Sequence, residues 1–108
     1  MDIKPEQLIQ RLALALDART AMIAESYQQA VRLFNGFYEG CPELVVDLYA
    51  HTLVLFNYAE QPEAADPVLM AGSEWLCQKL PWVQAVLVKT RNGEQLSDRQ
   101  GNLIFGRL

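Results

Sequence analysis

Long apolar runs are missing from this 108-residue chain. No stretch approaches the roughly 18 residues that a membrane-spanning helix needs. The opening Met1-Asp2-Ile3-Lys4 has neither a basic n-region nor an apolar h-region. The expectation is a cytoplasmic chain that neither spans, exports nor anchors. Cysteine and histidine are scarce, at 2 Cys and 1 His. Two Cys are too few for a disulfide scaffold, so reduced thiols are expected. His51 has no second histidine near it, and Cys41 and Cys77 fall in unrelated segments, which argues against a zinc site. Cys41 sits in a Gly/Pro loop with no histidine signature to activate it as a nucleophile, and Cys77 falls where helix packing explains it. There is no G-x-G-x-x-G, no Walker loop, no G-x-S-x-G and no H-E-x-x-H. Gly36 and Gly40 form a G-x-x-x-G, but without the apolar helix that would make it a membrane-dimer motif. No self-sufficient catalytic set is present, and catalytic, cofactor and metal residues are all expected to be absent from this chain.

What is present is a hydrophobic fraction of 51% and a formal charge of −4. That is too apolar for disorder and fits one globular domain with a single small core. Between Pro5 and Phe34 there is no Gly and no further Pro. Leu8, Leu12, Leu16, Ile23, Tyr27, Val31 and Phe34 recur there at separations dominated by four and seven. This spacing predicts one helical stripe, or two helices with a break near Ala18–Thr20. Pro5 suits the first helical position, because its missing N–H would be unpaired there, and Glu6 favours the positive end of the helix dipole.

Residues 35–43 read as an ordered loop with two Gly, a Pro and two aromatics. Two β-branched and aromatic runs follow, Leu44–Tyr49 and Thr52–Tyr58, separated by Ala50-His51, the spacing of a hairpin. Ala50 is poorly suited to positive φ, so a longer, irregular turn over Tyr49–Thr52 is expected. Glu60–Asp66 reads as an acidic connection. Asp66-Pro67 then supplies a cap and a first-turn proline for a second helix to Leu80, stopped by Pro81. Leu69, Gly72, Trp75 or Leu76, and Leu80 would line its buried stripe, with Gly72 allowing close approach to the sheet. Val83–Lys89 reads as a buried strand, Thr90–Gly101 as a loop and Asn102–Gly106 as a last strand, one that leaves an edge without a partner. The fold class is therefore α+β: a long N-terminal helix followed by a two-layer ββαββ domain with a mostly antiparallel sheet. The expected organisation is a helical segment over residues 1–34 and a small domain over residues 35–108.

Charge is uneven along the chain. Glu39, Glu43, Asp47, Glu60, Glu63 and Asp66 lie in a stretch with no Lys or Arg, whereas Lys79, Lys89, Arg91, Arg99 and Arg107 face only Glu94 and Asp98. Lys89, Arg91 and Arg99 are the residues that could touch a phosphate backbone. An acidic chain argues against autonomous nucleic-acid binding. Phe34, Phe37, Tyr38, Tyr49, Phe56 and Tyr58 could form a base-stacking platform, but core packing is expected to claim most of them, and their sequence neighbours are acidic. Asp47, between Val46 and Leu48, is the one carboxylate expected to be held close to the sheet, and a lone carboxylate does not make acid/base catalysis.

Residues 32–58 resemble a segment of the class I S-adenosylmethionine (SAM)-dependent large-subunit rRNA cytosine-5 methyltransferases. That family carries a stretch of the form E-G-x-P-x-L-x-V-D-x-Y-G followed by an apolar strand. Glu39, Gly40, Pro42, Leu44, Val46, Asp47 and Tyr49 match it. Ala50 stands in place of the turn glycine and Leu48 in place of a common arginine. With the second helix and Val83–Lys89, the resemblance extends over residues 32–108. It implies a small strand-strand-helix-strand-strand domain ahead of a Rossmann-type catalytic domain that holds the SAM loop and the catalytic cysteine. Neither of those lies in this chain.

The expectation is thus the N-terminal, non-catalytic part of such an rRNA methyltransferase, cut ahead of its C-terminal methyltransferase domain. Its partners would be that domain and rRNA, and its cofactor SAM bound elsewhere in the full-length protein. The alternative is a standalone interaction protein without enzymatic activity. It would form a homodimer through the first helix or the final strand edge.

Overall fold

The computed structural model describes residues 3–93 and 95–107. Glu94, one of the two acids counted against the C-terminal cations, lies outside the described residues, as does Leu108. Five strands form one sheet in the order β1 (Val31–Asn35), β2 (Leu44–Tyr49), β3 (Thr52–Asn57), β4 (Ala85–Thr90) and β5 (Asn102–Gly106). β3 and β4 run parallel, and the other neighbouring pairs are antiparallel. The class is α+β, but the sheet is mixed and has one strand more than the expected ββαββ. The parallel pair follows from its connection: α4 (Pro62–Lys79) leaves the end of β3 and returns the chain to the start of β4.

The stripe read as helical up to Phe34 divides into three elements. α1 (Pro5–Ala18) and α2 (Thr20–Ala24) meet at Arg19, within the expected break, and the chain then turns into β1. Helix was the wrong reading for Val31 and Phe34. A bulge between Arg32 and Phe34 lets the adjacent Leu33 and Phe34 both enter the core, so the segment lacks the alternation that marks a strand. β1 thus straddles residue 34. Residues 36–39 of the expected loop form one helical turn, α3 (Gly36–Glu39), which ends where Gly40 takes the left-handed conformation at φ 94°.

The expected hairpin of β2 and β3 forms, with Tyr49 opposite Thr52. Its turn, however, is the tight two-residue one. Ala50 adopts φ 52°, whereas His51 has no positive φ, which is the requirement of a type II′ turn and not of type I′. Pairing of six residues on each side holds Ala50 in a conformation it would not choose.

α4 starts at Pro62, before the expected cap at Asp66, so the acidic connection is already helical. Pro67 sits inside the helix at an exposed position. The carbonyl that loses its donor belongs to Glu63, an exposed residue, so the loss falls on the solvent side of the helix. Buried Asn57 shapes the entry to α4: its side-chain oxygen accepts from the Ala59 N–H at 2.9 Å. Gly72 does permit a close approach, but to α1. A Cβ there would lie 2.9 Å from Leu8 Cδ2 and 3.4 Å from Leu12 Cδ1. β4 runs Ala85–Thr90, two residues later at its start than expected. The polar run after it contains a further short helix, α5 (Leu96–Gln100).

α1 and α4 cover one face of the sheet. Their Leu8, Leu12, Leu69 and Leu76 pack with Val46, Leu48, Leu53, Leu55 and Val86, all of them buried. The residues that alternate with these strand positions point to the opposite face, on which no long helix packs among the described residues. Among the described residues no helix is long and apolar enough to cross a membrane.

Candidate nucleic-acid interface

Outward positions of β3 and β4 set the chemistry of this second face. Phe56 lies opposite Lys89 in the parallel pairing, and Tyr58 and Arg91 follow one residue past the ends of the two strands, where the Arg91 N–H donates to the Asn57 carbonyl at 2.9 Å. Strand alternation therefore places Phe56 and Tyr58 side by side, with Lys89 and Arg91 beside them. α5 brings a third cation. Arg99 anchors one guanidinium nitrogen on the Gly93 carbonyl at 3.0 Å, and Asn92 ties the same loop to the Ala59 carbonyl at 2.9 Å.

Phe56, Tyr58, Lys89, Arg91 and Arg99 line one hollow of about 300 Å³. The rings of Phe56 and Tyr58 lie 6.5 Å apart between centroids and 22° from parallel. Phe37 meets Tyr58 edge-on at 5.6 Å, extending the aromatic surface to the rim. Lys89 Nζ stands 5.8 Å from the Phe56 centroid, within range of a cation–π contact. Among the described residues, no carboxylate forms an ion pair with Lys89, Arg91 or Arg99.

Elsewhere on the same face, Arg32 is not free in this way. Its Nε donates to Asp47 Oδ1 at 2.8 Å and its second donor reaches Oδ2 at 3.1 Å. That hydrogen bond raises the guanidinium pKa above its ordinary value, against the lowering by burial. Asp47 is held against the sheet as expected, only 6% exposed, and the Tyr49 hydroxyl approaches it at 3.5 Å. Arg32 and Asp47 face each other across β1 and β2, so this pair is structural.

The acidic residues gather on a different side. Glu60, Glu63, Asp66 and Asp98 line a separate hollow of about 650 Å³ between the start of α4 and the β4–β5 connection. α5 divides the two, with Asp98 on the acidic side and its neighbour Arg99 on the basic one. Among the described residues no group of three or more His, Cys, Asp or Glu side chains is placed to hold a metal ion. His51 is exposed in the hairpin turn, its Nδ1 at 3.2 Å from the Trp82 carbonyl. Cys41 is buried beside Glu43, and burial, with the Glu43 charge adding to it, pushes its thiol up to about 11.

No protein-family model matches the chain, and no curated protein does. Solved structures do. A candidate SAM-dependent methyltransferase from Streptococcus mutans superposes on all of this chain with a TM-score of 0.74 at 14% identity, and the matched part is 26% of that protein. SMU.776, a candidate methyltransferase crystallised with SAH, superposes on all of this chain with a TM-score of 0.67 at 14% identity over 31% of its own length. At this identity the likeness is one of fold. The chain spans between a quarter and a third of the structures it resembles.

The three cations expected to contact phosphate are therefore brought together, by two different elements. The expectation for the aromatics needs correcting. Only Phe34 of the six is buried, whereas Phe37, Tyr38 and Tyr49 are exposed and Phe56 and Tyr58 are half-buried. For Phe56 and Tyr58 the neighbours in space include Lys89, Arg91 and Arg99, while Glu43 and Glu60 lie with Tyr58 and Phe37 around an adjoining hollow. Phe56 and Tyr58 fall on one expected strand, but the other was expected to end at Lys89, leaving Arg91 in a loop. Their juxtaposition depends on the parallel pairing across α4.

Proposed function

We propose that this chain is a non-catalytic module of a SAM-dependent rRNA methyltransferase of the cytosine-5 group, and that its open sheet face helps to position substrate RNA. The carrying observation is the convergence of Lys89, Arg91 and Arg99, unpaired with carboxylates among the described residues, around the rings of Phe56 and Tyr58. Cations of this kind neutralise phosphates, and a rigid sheet fixes where the backbone lies. The match of Glu39, Gly40, Pro42, Leu44, Val46, Asp47 and Tyr49 to the family stretch supports the assignment, as does the likeness of fold to two candidate methyltransferases. In this reading SAM is held by a catalytic domain elsewhere in the full-length cytoplasmic protein, with which this module packs.

Fluorescence anisotropy with labelled rRNA fragments tests the reading. The 108-residue chain should bind at low salt, with affinity falling as salt rises. Lys89→Glu, Arg91→Glu and Arg99→Glu together should weaken binding about tenfold or more. Salt-independent absence of binding would remove the RNA role. Calorimetric titration with SAM should give no heat, and measurable donor affinity would overturn the non-catalytic assignment.

A second reading, a homodimerising interaction protein, draws on β5. This strand ends the sheet in the described residues, and Leu103 and Phe105 on it are each about half exposed. Light scattering distinguishes the two: a stable dimer of the 12.2 kDa chain that does not bind RNA favours the second.

A further inference from the structure

The hollow between β3, β4 and α5 has a form that simple phosphate binding does not require. Its floor is two aromatic rings lying nearly parallel, and its rim is three cations from two elements. A surface that recognises phosphate alone gains nothing from exposed rings, since it needs only donors at the right spacing. An aromatic floor gains from a ligand with a flat face of its own. In a duplex both faces of each internal base are covered by its stacked neighbours, whereas an unpaired nucleotide can offer one.

We infer that this hollow takes one unpaired nucleotide of an RNA single strand, its base laid against Phe56 and Tyr58 and its flanking phosphates held by Arg91 and Arg99. The inference rests on the RNA-positioning reading and narrows it to single-stranded segments. Lys89 has a distinct place. Paired with Phe56 across the strands and standing 5.8 Å from that ring, it flanks the stacking surface. Arg99 is held in position by its bond to the Gly93 carbonyl, so part of its guanidinium is already oriented before a ligand arrives. Arg32 does not line this hollow, and its Nε–Nη2 edge is taken by Asp47.

The experiment compares, at one salt concentration, a fluorescein-labelled single-stranded RNA with an RNA duplex of equal length. Four forms of the 108-residue chain are used: wild type, Phe56→Leu with Tyr58→Leu, Tyr58→Trp, and Arg91→Glu with Arg99→Glu. The wild type should prefer the single strand by about fivefold or more. The leucine pair, which keeps apolar bulk but removes the rings, should lose about tenfold in single-strand affinity with little change for the duplex. Tyr58→Trp should keep or strengthen single-strand binding, and it carries the test should the leucine pair fail to fold by circular dichroism. The charge-reversed form should weaken both RNAs.

Equal affinity for the two RNAs, with the leucine pair unaffected and the charge-reversed form weakened, would overturn the single-strand inference while leaving RNA positioning intact. Displacement of the RNA by polyglutamate at matched charge would mean that the site reads charge alone, which overturns it also. No binding of either RNA at low salt would remove both readings together.

Discussion

Arg19 and Glu39 form a two-point ion pair between the α1–α2 junction and the end of α3. Arg19 Nη1 lies 3.1 Å from Glu39 Oε2, and the second guanidinium nitrogen meets Oε1. Nη1 also donates to the Ala15 carbonyl at 3.1 Å, and Glu39 Oε1 accepts the Asn35 N–H at 3.0 Å. One pair thus closes the end of α1 and joins it to the end of β1.

This pair makes stability depend on acid. Burial pushes the Glu39 carboxyl upward, but the hydrogen bond from Arg19, the Asn35 N–H and the Arg19 charge together outweigh it and hold the group below its ordinary value of 4.5. A carboxyl lowered in the folded state adds stability above its unfolded pKa and loses it as pH falls through the folded one. Unfolding midpoints in urea should therefore be flat from pH 7 to about 5 and fall below about 4.5. Glu39→Gln should lower the midpoint at pH 7 and flatten the acid limb. An unchanged acid limb in that variant would show that other carboxylates carry the effect.

Gly72 lies where α4 passes over α1. A Cβ there would sit 2.9 Å from Leu8 Cδ2, and Leu8 is fully buried and cannot swing into solvent. Gly72→Val should destabilise the chain by about 2–3 kcal/mol through overpacking. Urea denaturation measures this, and Leu8→Ala in the same background should recover part of the loss by making room. Additive losses in the double variant would place the strain elsewhere.

Ala50 holds φ 52°, a conformation that suits glycine. An L-residue in the left-handed region is disfavoured by about 1–2 kcal/mol. The extra freedom glycine adds to the unfolded chain returns about 0.5–1 kcal/mol of that. Ala50→Gly should then stabilise the protein by about 0.5–1 kcal/mol, visible as a higher thermal midpoint in calorimetry. An unchanged or lower midpoint would mean the hairpin turn carries no relievable strain.

Cys41 is 1% exposed, and its thiol, raised to about 11 by burial and the neighbouring Glu43, is protonated at ordinary pH. It should resist Ellman's reagent in the native protein at pH 8 and react fully once the chain is unfolded in guanidinium. Cys77, also raised by burial but only partly covered, should react at an intermediate rate. Cys77→Ser isolates the Cys41 signal, and rapid native labelling in that variant would contradict the burial.

The hairpin was legible because Leu44–Tyr49 and Thr52–Tyr58 are two β-branched and aromatic runs on either side of a two-residue gap. α1 was legible because Leu8, Leu12 and Leu16 repeat on one face behind a first-turn proline, although Ala15 is buried more fully than Leu16. The start of α4 was not, since Asp66-Pro67 offers a local start signal that the helix overrides by beginning at Pro62. Nor was β1, whose bulge turns Leu33 and Phe34 inward together and erases the period of two. Each failure has one cause: a local pattern reports the local optimum, whereas burial against partners distant in sequence decides which pattern is used.

By itself, then, the sequence of this protein determined the apolar face of α1, the hairpin runs and the stretch of motif residues from Glu39 to Tyr49, because these depend on neighbours within a few positions. Tertiary structure alone decided that β4 lies parallel to β3, and with it that Lys89 stands by Phe56 and Arg91 and Arg99 by Tyr58. That pairing is set by α4 burying Leu69 and Leu76 against α1 and the sheet, an interaction between segments too far apart for any local spacing to record.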